Sequence, residues 1–316
     1  MSLLLLWIVL GAAAALLLIW LLLFCFGFHR WKSQDPFRKA VAQALQPYQP
    51  QIDAGIAWYR SQGAQSVHVL SHDGLRLAGE FLPAPGGVSR KTVLLVHGYR
   101  ACPYRDFCVA FRPLHELGFN ILLLHQRAHW ESEGKYIAFG ALERYDVQVW
   151  CDYINRRVRE EAGLVDSVIF LYGMSMGAAT VMLAAGLPLP DNVRGVIADS
   201  GFTSPWDICS AVLRQHRLPV QPLLSLIDWL TRRRIGFSLR ECSSETALRV
   251  SQLPLLLIHG EADPLVPCAM ARANAAAAGD RATLVTVPGA GHGLSYFTDP
   301  ERVDAALLAF LRRYEG

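Results

Sequence analysis

Charge is scarce in this 316-residue chain: 18% of its side chains are Asp, Glu, Lys or Arg, and the formal net charge is +3. An excess that small lacks the basic footprint of a nucleic-acid binder. A hydrophobic share of 52% excludes a disordered chain, which needs few aliphatics and a high net charge. No C-x-x-C pair and no Cys/His cluster at zinc-ligand spacing is present. The seven cysteines, Cys25, Cys102, Cys108, Cys151, Cys209, Cys242 and Cys268, therefore read as reduced thiols of a reducing compartment, with disulfides left open. There is no internal repeat with a period of roughly 20–50 residues, which excludes solenoids and propellers.

What is plentiful is apolar surface, and it is unevenly spread. Leu3–Phe28 is a run of 26 residues without a charge, apolar or aromatic everywhere but Gly11 and Gly27. Without residues 1–28 the hydrophobic share falls to about 48%, ordinary for a globular domain. As a helix the run would reach about 39 Å, enough to cross a hydrocarbon core of about 30 Å with tilt. A cleaved signal peptide is the other reading. Against it, no Lys or Arg precedes the run, its apolar stretch is too long, and no A-x-A site ends it. Arg30, Lys32, Arg38 and Lys39 follow the span, so the positive-inside rule places the rest of the chain in the cytoplasm, below a single-pass anchor over residues 1–30.

Residues 31–65 read as a linker with a short helix, punctuated by Pro36, Pro47 and Pro50. A hairpin follows, Val67–Leu70 and Leu75–Phe81 around an Asp73-Gly74 turn. Then aliphatic runs at 92–96, 120–124, 167–171, 193–197, 253–258 and 281–287 alternate with helical periodicity such as 143–159 and 175–185. That alternation predicts an α/β fold with a mostly parallel sheet covered by helices on both faces. About fifty residues, 203–252, interrupt it; they hold seven Arg against four acids, a surplus equal to the net charge of the whole chain. We expect a helical insertion over the carboxyl ends of the strands. Arg232, Arg233 and Arg234 read there either as a solvated helix end or as a contact for anionic lipid or an acidic substrate group.

Gly173-Met-Ser-Met-Gly177 follows an aliphatic strand and opens a helix, the context a nucleophile elbow requires. The glycines matter because the serine sits at a strained backbone conformation and a neighbouring Cβ would crowd the turn. A serine hydroxyl needs a base, itself oriented by a carboxylate. Asp263, in His259-Gly-Glu-Ala-Asp263, and His292, in Gly289-Ala-Gly-His-Gly293, both follow carboxyl ends of strands, where sites of open α/β sheets collect. Two backbone N–H groups would complete an oxyanion hole: Met176, after the serine, and Tyr99 in His97-Gly98-Tyr99, with Gly98 admitting close approach. His97 either braces that loop or contacts substrate.

These motifs resemble those of the α/β-hydrolase superfamily, over about residues 66–314. Within it, the chain is similar to bacterial hydrolases of the serine-aminopeptidase-like and cinnamoyl/feruloyl-esterase-like branch. The resemblance implies Ser175 as nucleophile, His292 as base, Asp263 as its orienter, and Tyr99 and Met176 as oxyanion donors. It further implies a hydrolase domain over 66–316 whose insertion, 203–252, is a lid shaping an acyl pocket. One departure stands out. In His125-Gln-Arg-Ala-His-Trp-Glu-Ser-Glu-Gly134 the family commonly has Asp near His125 and Gly at Trp130.

Asp199, at the end of another strand, is a second candidate for orienting the histidine, whereas Asp299 and Glu261 read as solvated or capping residues. His125, His129, Glu131 and Glu133 suggest a metal only weakly, since no H-x-x-x-H helix is present. The expected function is a membrane-anchored serine hydrolase cleaving small-molecule or lipid carboxylic esters, without metal or cofactor and without nucleic acid. A peptidase, thioesterase or acyltransferase using the same residues remains open, as does a non-catalytic binding protein on the same fold. No motif reads acyl length or oligomeric state.

Overall fold

The computed structural model of the chain describes residues 3–30 and 43–316. Lys32, Arg38, Lys39 and the first part of the expected linker lie outside the described residues. Six strands run parallel: β3 (Lys91–Val96), β4 (Asn120–His125), β5 (Val168–Met174), β6 (Val193–Asp199), β7 (Leu255–Gly260) and β8 (Ala282–Val287). A hairpin of β1 (Gln65–Leu70) and β2 (Arg76–Leu82) adds antiparallel strands beside β4, giving the order β1-β2-β4-β3-β5-β6-β7-β8. The hairpin closes through Gly74, at φ +81°, whose N–H donates to Ser71 O.

The aliphatic runs become strands because their alternate side chains meet two different helix layers. Leu94, Val96, Leu122, Leu124, Ile169 and Leu171 face one apolar core. Val93, Leu95, Ile121, Leu123, Phe170 and Tyr172 face the other. Burying each such side chain contributes roughly 1.5–3 kcal/mol, so both faces must be covered. Before the sheet come α1 (Leu3–Phe28) and α2 (Gln49–Ser61), and after β3 come α3 (Pro103–Asp106) and α4 (Phe111–Glu116). Next are α5 (Glu143–Ala162) and α6 (Met176–Ala184), whose Val147, Trp150, Ile154, Val181 and Met182 cover the first face. The short helix expected in the linker is α2, and it is part of the body: Tyr59 is buried in the second core, its ring stacked 4.2 Å from Phe111.

The expected insertion divides in two. Helices α7 (Pro205–Gln215) and α8 (Leu223–Arg234) leave the sheet layer, while α9 (Ser244–Val250) returns to it, placing Leu248 in the first core. Leu213, Leu224, Ile227 and Leu230 join one apolar cluster with Met176, Phe202 and the α1 side chains Trp20, Phe24 and Phe28. The chain then closes through α10 (Cys268–Ala278), α11 (Ser295–Thr298) and α12 (Pro300–Tyr314), with Asp299 capping α12 by accepting from Arg302 N.

Among the described residues no helix is long and apolar enough to cross a membrane. In α1 the side chains of residues 3–6, 9, 12, 13 and 16 fall outside that description, so the expected span rests on its sequence: 26 residues, none acidic or basic.

Candidate active site

Strand order places the site. β3 is followed by β4 on one side, whereas β5 starts the run to β8 on the other, so the loops after β3 and β5 open a crevice at their carboxyl ends. Ser175 follows β5 directly at φ +54° and ψ −114°, the sharp strand-to-helix turn its glycines make possible. A Cβ on Gly173 would stand 2.2 Å from Gly177 O, and one on Gly177 would stand 1.8 Å from Val96 O. No side chain fits either place. The turn is pinned from below by Ser175 N donating to Asp199 O at 2.8 Å.

Three residues from three strand ends meet there. His292 Nε2 lies 2.8 Å from Ser175 Oγ, and its Nδ1 lies 2.7 Å from Asp263 Oδ2. The other carboxylate oxygen, Asp263 Oδ1, accepts from Leu265 N and Val266 N, each at 2.8 Å. Burial pushes the Asp263 carboxyl up, but hydrogen bonds from His259, His292 and Val266 N outweigh it and hold it below the usual carboxylate range. An ionised Asp263 only accepts, so His292 carries its proton on Nδ1 and turns a lone pair toward the serine hydroxyl. The arrangement can take the serine proton and stabilise the imidazolium that results.

Asp199, the other candidate acid, is fully buried one strand away. Oδ1 accepts from Ser200 Oγ at 2.8 Å, and Oδ2 has no hydrogen-bond partner among the described residues. Burial raises its carboxyl to about 6. Neither oxygen bonds His292.

The loop after β3 presses against the serine: a Cβ on Gly98 would lie 3.3 Å from Ser175 Cβ. Its fully buried His97 takes the bracing role. Nδ1 donates to Gly98 O at 2.7 Å, and Nε2 accepts from Gln126 N at 3.2 Å, which leaves neither nitrogen for a substrate. Burial lowers His97 from the ordinary imidazole range and keeps it neutral for both roles. Gly98 N donates to Asp106 Oδ2 at 2.9 Å, so that amide is directed into the protein. Met176 N opens α6, in the first turn, where a helix offers its N–H groups no internal acceptor.

The loop after β4, which carries Trp130, sits directly beside this one. Trp130 occupies its glycine-like position at φ +45° and donates through Nε1 to Ala101 O at 2.9 Å. His129 is buried, bonds Arg127 O through Nδ1, and accepts from Arg100 N at 3.0 Å. Glu133 caps Arg76 N at 2.8 Å, and burial lowers His125 to about 4. Of the residues that hinted at a metal, His129 and Glu133 are thus engaged separately, each by a different backbone N–H. Among the described residues one other group, His72, Asp73 and Asp146, has metal-like spacing, and the Arg127 guanidinium already pairs both of its carboxylates.

Sequence reasoning passed over Asp106, weighed His129 only as a metal ligand, and gave His259 no role. His259 had a visible signal, standing four residues before Asp263; its Nε2 lies 2.8 Å from Val266 O and 3.4 Å from Asp263 Oδ2. The bracing roles of Asp106 and His129 had none, because each accepts from a backbone N–H, of Gly98 and of Arg100, that carries no sequence signature. Of the arginine run, Arg232 is tied to Asp228, Ser238 and Glu241, whereas Arg233 lies over the exposed Trp229 ring.

The sequence profile of the Alpha/beta hydrolase family matches residues 93–306. The uncharacterized protein YqkD of Bacillus subtilis is 31% identical over 153 residues, 48% of either chain, so this chain spans about half of that relative's length. The uncharacterized protein YfhR of Escherichia coli is 28% identical over 242 residues, 75% of either chain. An esterase of Pyrococcus furiosus has a similar fold, with a TM-score of 0.63 at 23% identity over 81% of this chain and 93% of that one.

Proposed function

The chain belongs to the alpha/beta hydrolase family, and from that premise we propose that it is a serine hydrolase that cleaves carboxylic esters through an acyl-enzyme. The observation that carries this reading is the continuous hydrogen-bonded chain from Ser175 Oγ through His292 to Asp263, with the serine on a strained turn.

Ser175 Oγ attacks the ester carbonyl carbon while His292 Nε2 takes the hydroxyl proton, and Asp263 steadies the imidazolium. The carbonyl electrons move onto oxygen, where Tyr99 N–H and Met176 N–H hold the anion; each such donor is worth about 10²–10³ in kcat. Collapse expels the alkoxide, which receives the proton from His292. Water then gives a proton to His292 and attacks the acyl-serine, and collapse returns that proton to Ser175 and frees the acid. Helices α7 and α8 would act as the lid over this cleft, since they share an apolar cluster with Met176 and Phe202.

A membrane location is part of the proposal. The uncharged 26-residue α1 supports it, as does the distribution of exposed apolar side chains. Ile8, Leu10, Leu17, Leu18 and Leu22 of α1 are followed by Leu226 and Trp229 of α8, where Trp20 and Trp229 lie 6.1 Å apart. The domain would face the cytoplasm, and an active alkaline-phosphatase fusion at the carboxyl terminus would refute that sidedness. For the chemistry, Ser175→Ala should abolish both turnover of p-nitrophenyl esters and labelling by a fluorophosphonate. Labelling that persists in the variant would overturn the assignment.

A further inference from the structure

The last turn of any helix leaves carbonyls without internal donors, and an end that meets protein rather than water must find them elsewhere. In α1 those donors come from the hydrolase body. Ile137 N donates to Phe28 O at 2.7 Å. Tyr99 Oη donates to Gly27 O at 2.8 Å. Arg100 Nη2 donates to Phe26 O at 2.6 Å and to His29 O at 2.9 Å. Two of the three donor residues belong to the loop after β3, and one of them is Tyr99.

Packing repeats the same connection. The Tyr99 ring stacks on Phe139 at 5.1 Å, Phe139 meets Phe28 at 5.2 Å, and Phe28 stacks on Phe24 at 5.4 Å. The Arg100 guanidinium lies over the Tyr99 ring at 4.9 Å and the Phe26 ring at 5.6 Å. A cation at the carboxyl end of a helix also meets the negative pole of the helix dipole. Arg100 itself stands at φ +49°, a conformation a non-glycine residue keeps only when its surroundings over-determine it. Here the surroundings are His129, which accepts from Arg100 N, and the carbonyls of α1.

We propose that the carboxyl end of α1 is a positioning element of the oxyanion loop, acting through Tyr99 Oη and the Arg100 side chain to set the Tyr99 backbone N–H. Arg100 and Phe28 are accordingly positioning residues: they touch no reacting atom and act through the loop. The inference rests on the reading of Tyr99 N–H as an oxyanion donor. If α1 is the anchor, the span and the hydrolytic site form one mechanical unit.

The test uses the full-length protein in detergent micelles or nanodiscs with a water-soluble p-nitrophenyl ester, and rates are expressed per fluorophosphonate-titrated site. Tyr99→Phe removes only the hydroxyl, and Arg100→Met removes the donors and the charge while keeping an apolar stem. Each should lower kcat about tenfold and change KM less than twofold, because the loop stabilises the transition state and not the bound ester. The Ki of a boronic-acid transition-state analogue should rise by the same factor as kcat/KM falls, and Arg100→Lys should recover part of the loss. Phe28→Ala reaches the loop from the α1 side and should reproduce the kcat effect even if Arg100→Met fails to fold. Variants with kcat and boronate affinity within twofold of the parent, whatever their thermal midpoints, would overturn the inference. That outcome alongside an inactive Ser175→Ala would leave the esterase reading standing, whereas an active Ser175→Ala would remove that reading first.

Discussion

Two carboxylates end neighbouring parallel strands, both buried, and their surroundings divide them. Asp263, after β7, receives two backbone N–H groups and lies beside two imidazoles, so its charge is compensated at both oxygens. Asp199, closing β6, receives one hydroxyl and leaves Oδ2 bare. The first is held ionised; the second is pushed toward the neutral acid, to about 6. Burial alone opposes charge in both. The difference lies in the loop that follows each strand. After β7 the chain turns back so that Leu265 and Val266 point their amides at the carboxylate, whereas Ser200 leaves β6 at φ +56° with only its hydroxyl available. A group that must steady a transient imidazolium has to be charged beforehand, and the surroundings of Asp263 favour its charge while those of Asp199 oppose it.

The largest expected effect follows. In Asp263→Asn the amide NH2 can face His292 Nδ1 and drive the ring proton to Nε2, where it opposes the serine proton. We expect kcat to fall by about 10³–10⁴ with the fold intact. A loss below tenfold would mean that the carboxylate does not select the tautomer and that Asp199 must be reconsidered.

Much of this contrast was legible beforehand and some was not. The aliphatic runs located β3 to β8 to within a few residues, because burial on both faces writes a continuous apolar signal into each strand. Ser175, Asp263 and His292 were readable because each sits in a short, glycine-flanked motif at a strand end. The packing of Tyr59 in α2 was not, since prolines around a half-polar helix look the same whether it crosses a linker or covers a sheet. Nor was the donation from Arg100 to Phe26 O, which joins a loop to a helix 74 residues away through a backbone atom that carries no sequence signature. Local spacing encodes what a motif does to its own backbone. It does not encode which distant carbonyl a side chain will find.

A second, smaller test uses stability. Asp199 has a raised folded-state pKa, so between about 4 and 6 the native protein binds more protons than the unfolded chain, and ionising the group costs stability as pH rises through that window. Asp263 has the opposite sign: its contribution is present above the unfolded carboxylate range and is lost as pH falls below it. Asp199→Asn should therefore gain on the parent between pH 4 and 6, by on the order of 3 kcal/mol at most above that window, from the spacing of the two pKa values. Denaturant melts of both proteins at several pH values would reveal it. Parallel stability curves would mean that Asp199 is not the strained acid of the pair.

The smallest effect is expected at Trp130, where two contributions nearly cancel. Its φ of +45° costs a bulky residue about 1–2 kcal/mol, which Trp130→Gly would relieve. Against that, the indole donates to Ala101 O, in the loop that follows Tyr99, and meets the Tyr104 ring edge-on at 5.8 Å. One hydrogen bond of about 1 kcal/mol and a half-exposed ring contact of similar size would be lost, while an added glycine enlarges the entropy of the unfolded chain. The net change should stay within about 1 kcal/mol, a shift of a few degrees in Tm. The more informative readout is kcat. If the indole steadies the oxyanion loop through Ala101 O, kcat should fall a few-fold while Tm barely moves. If kcat is unchanged, the loop is fixed without Trp130, and His129 with the end of α1 is sufficient to hold it.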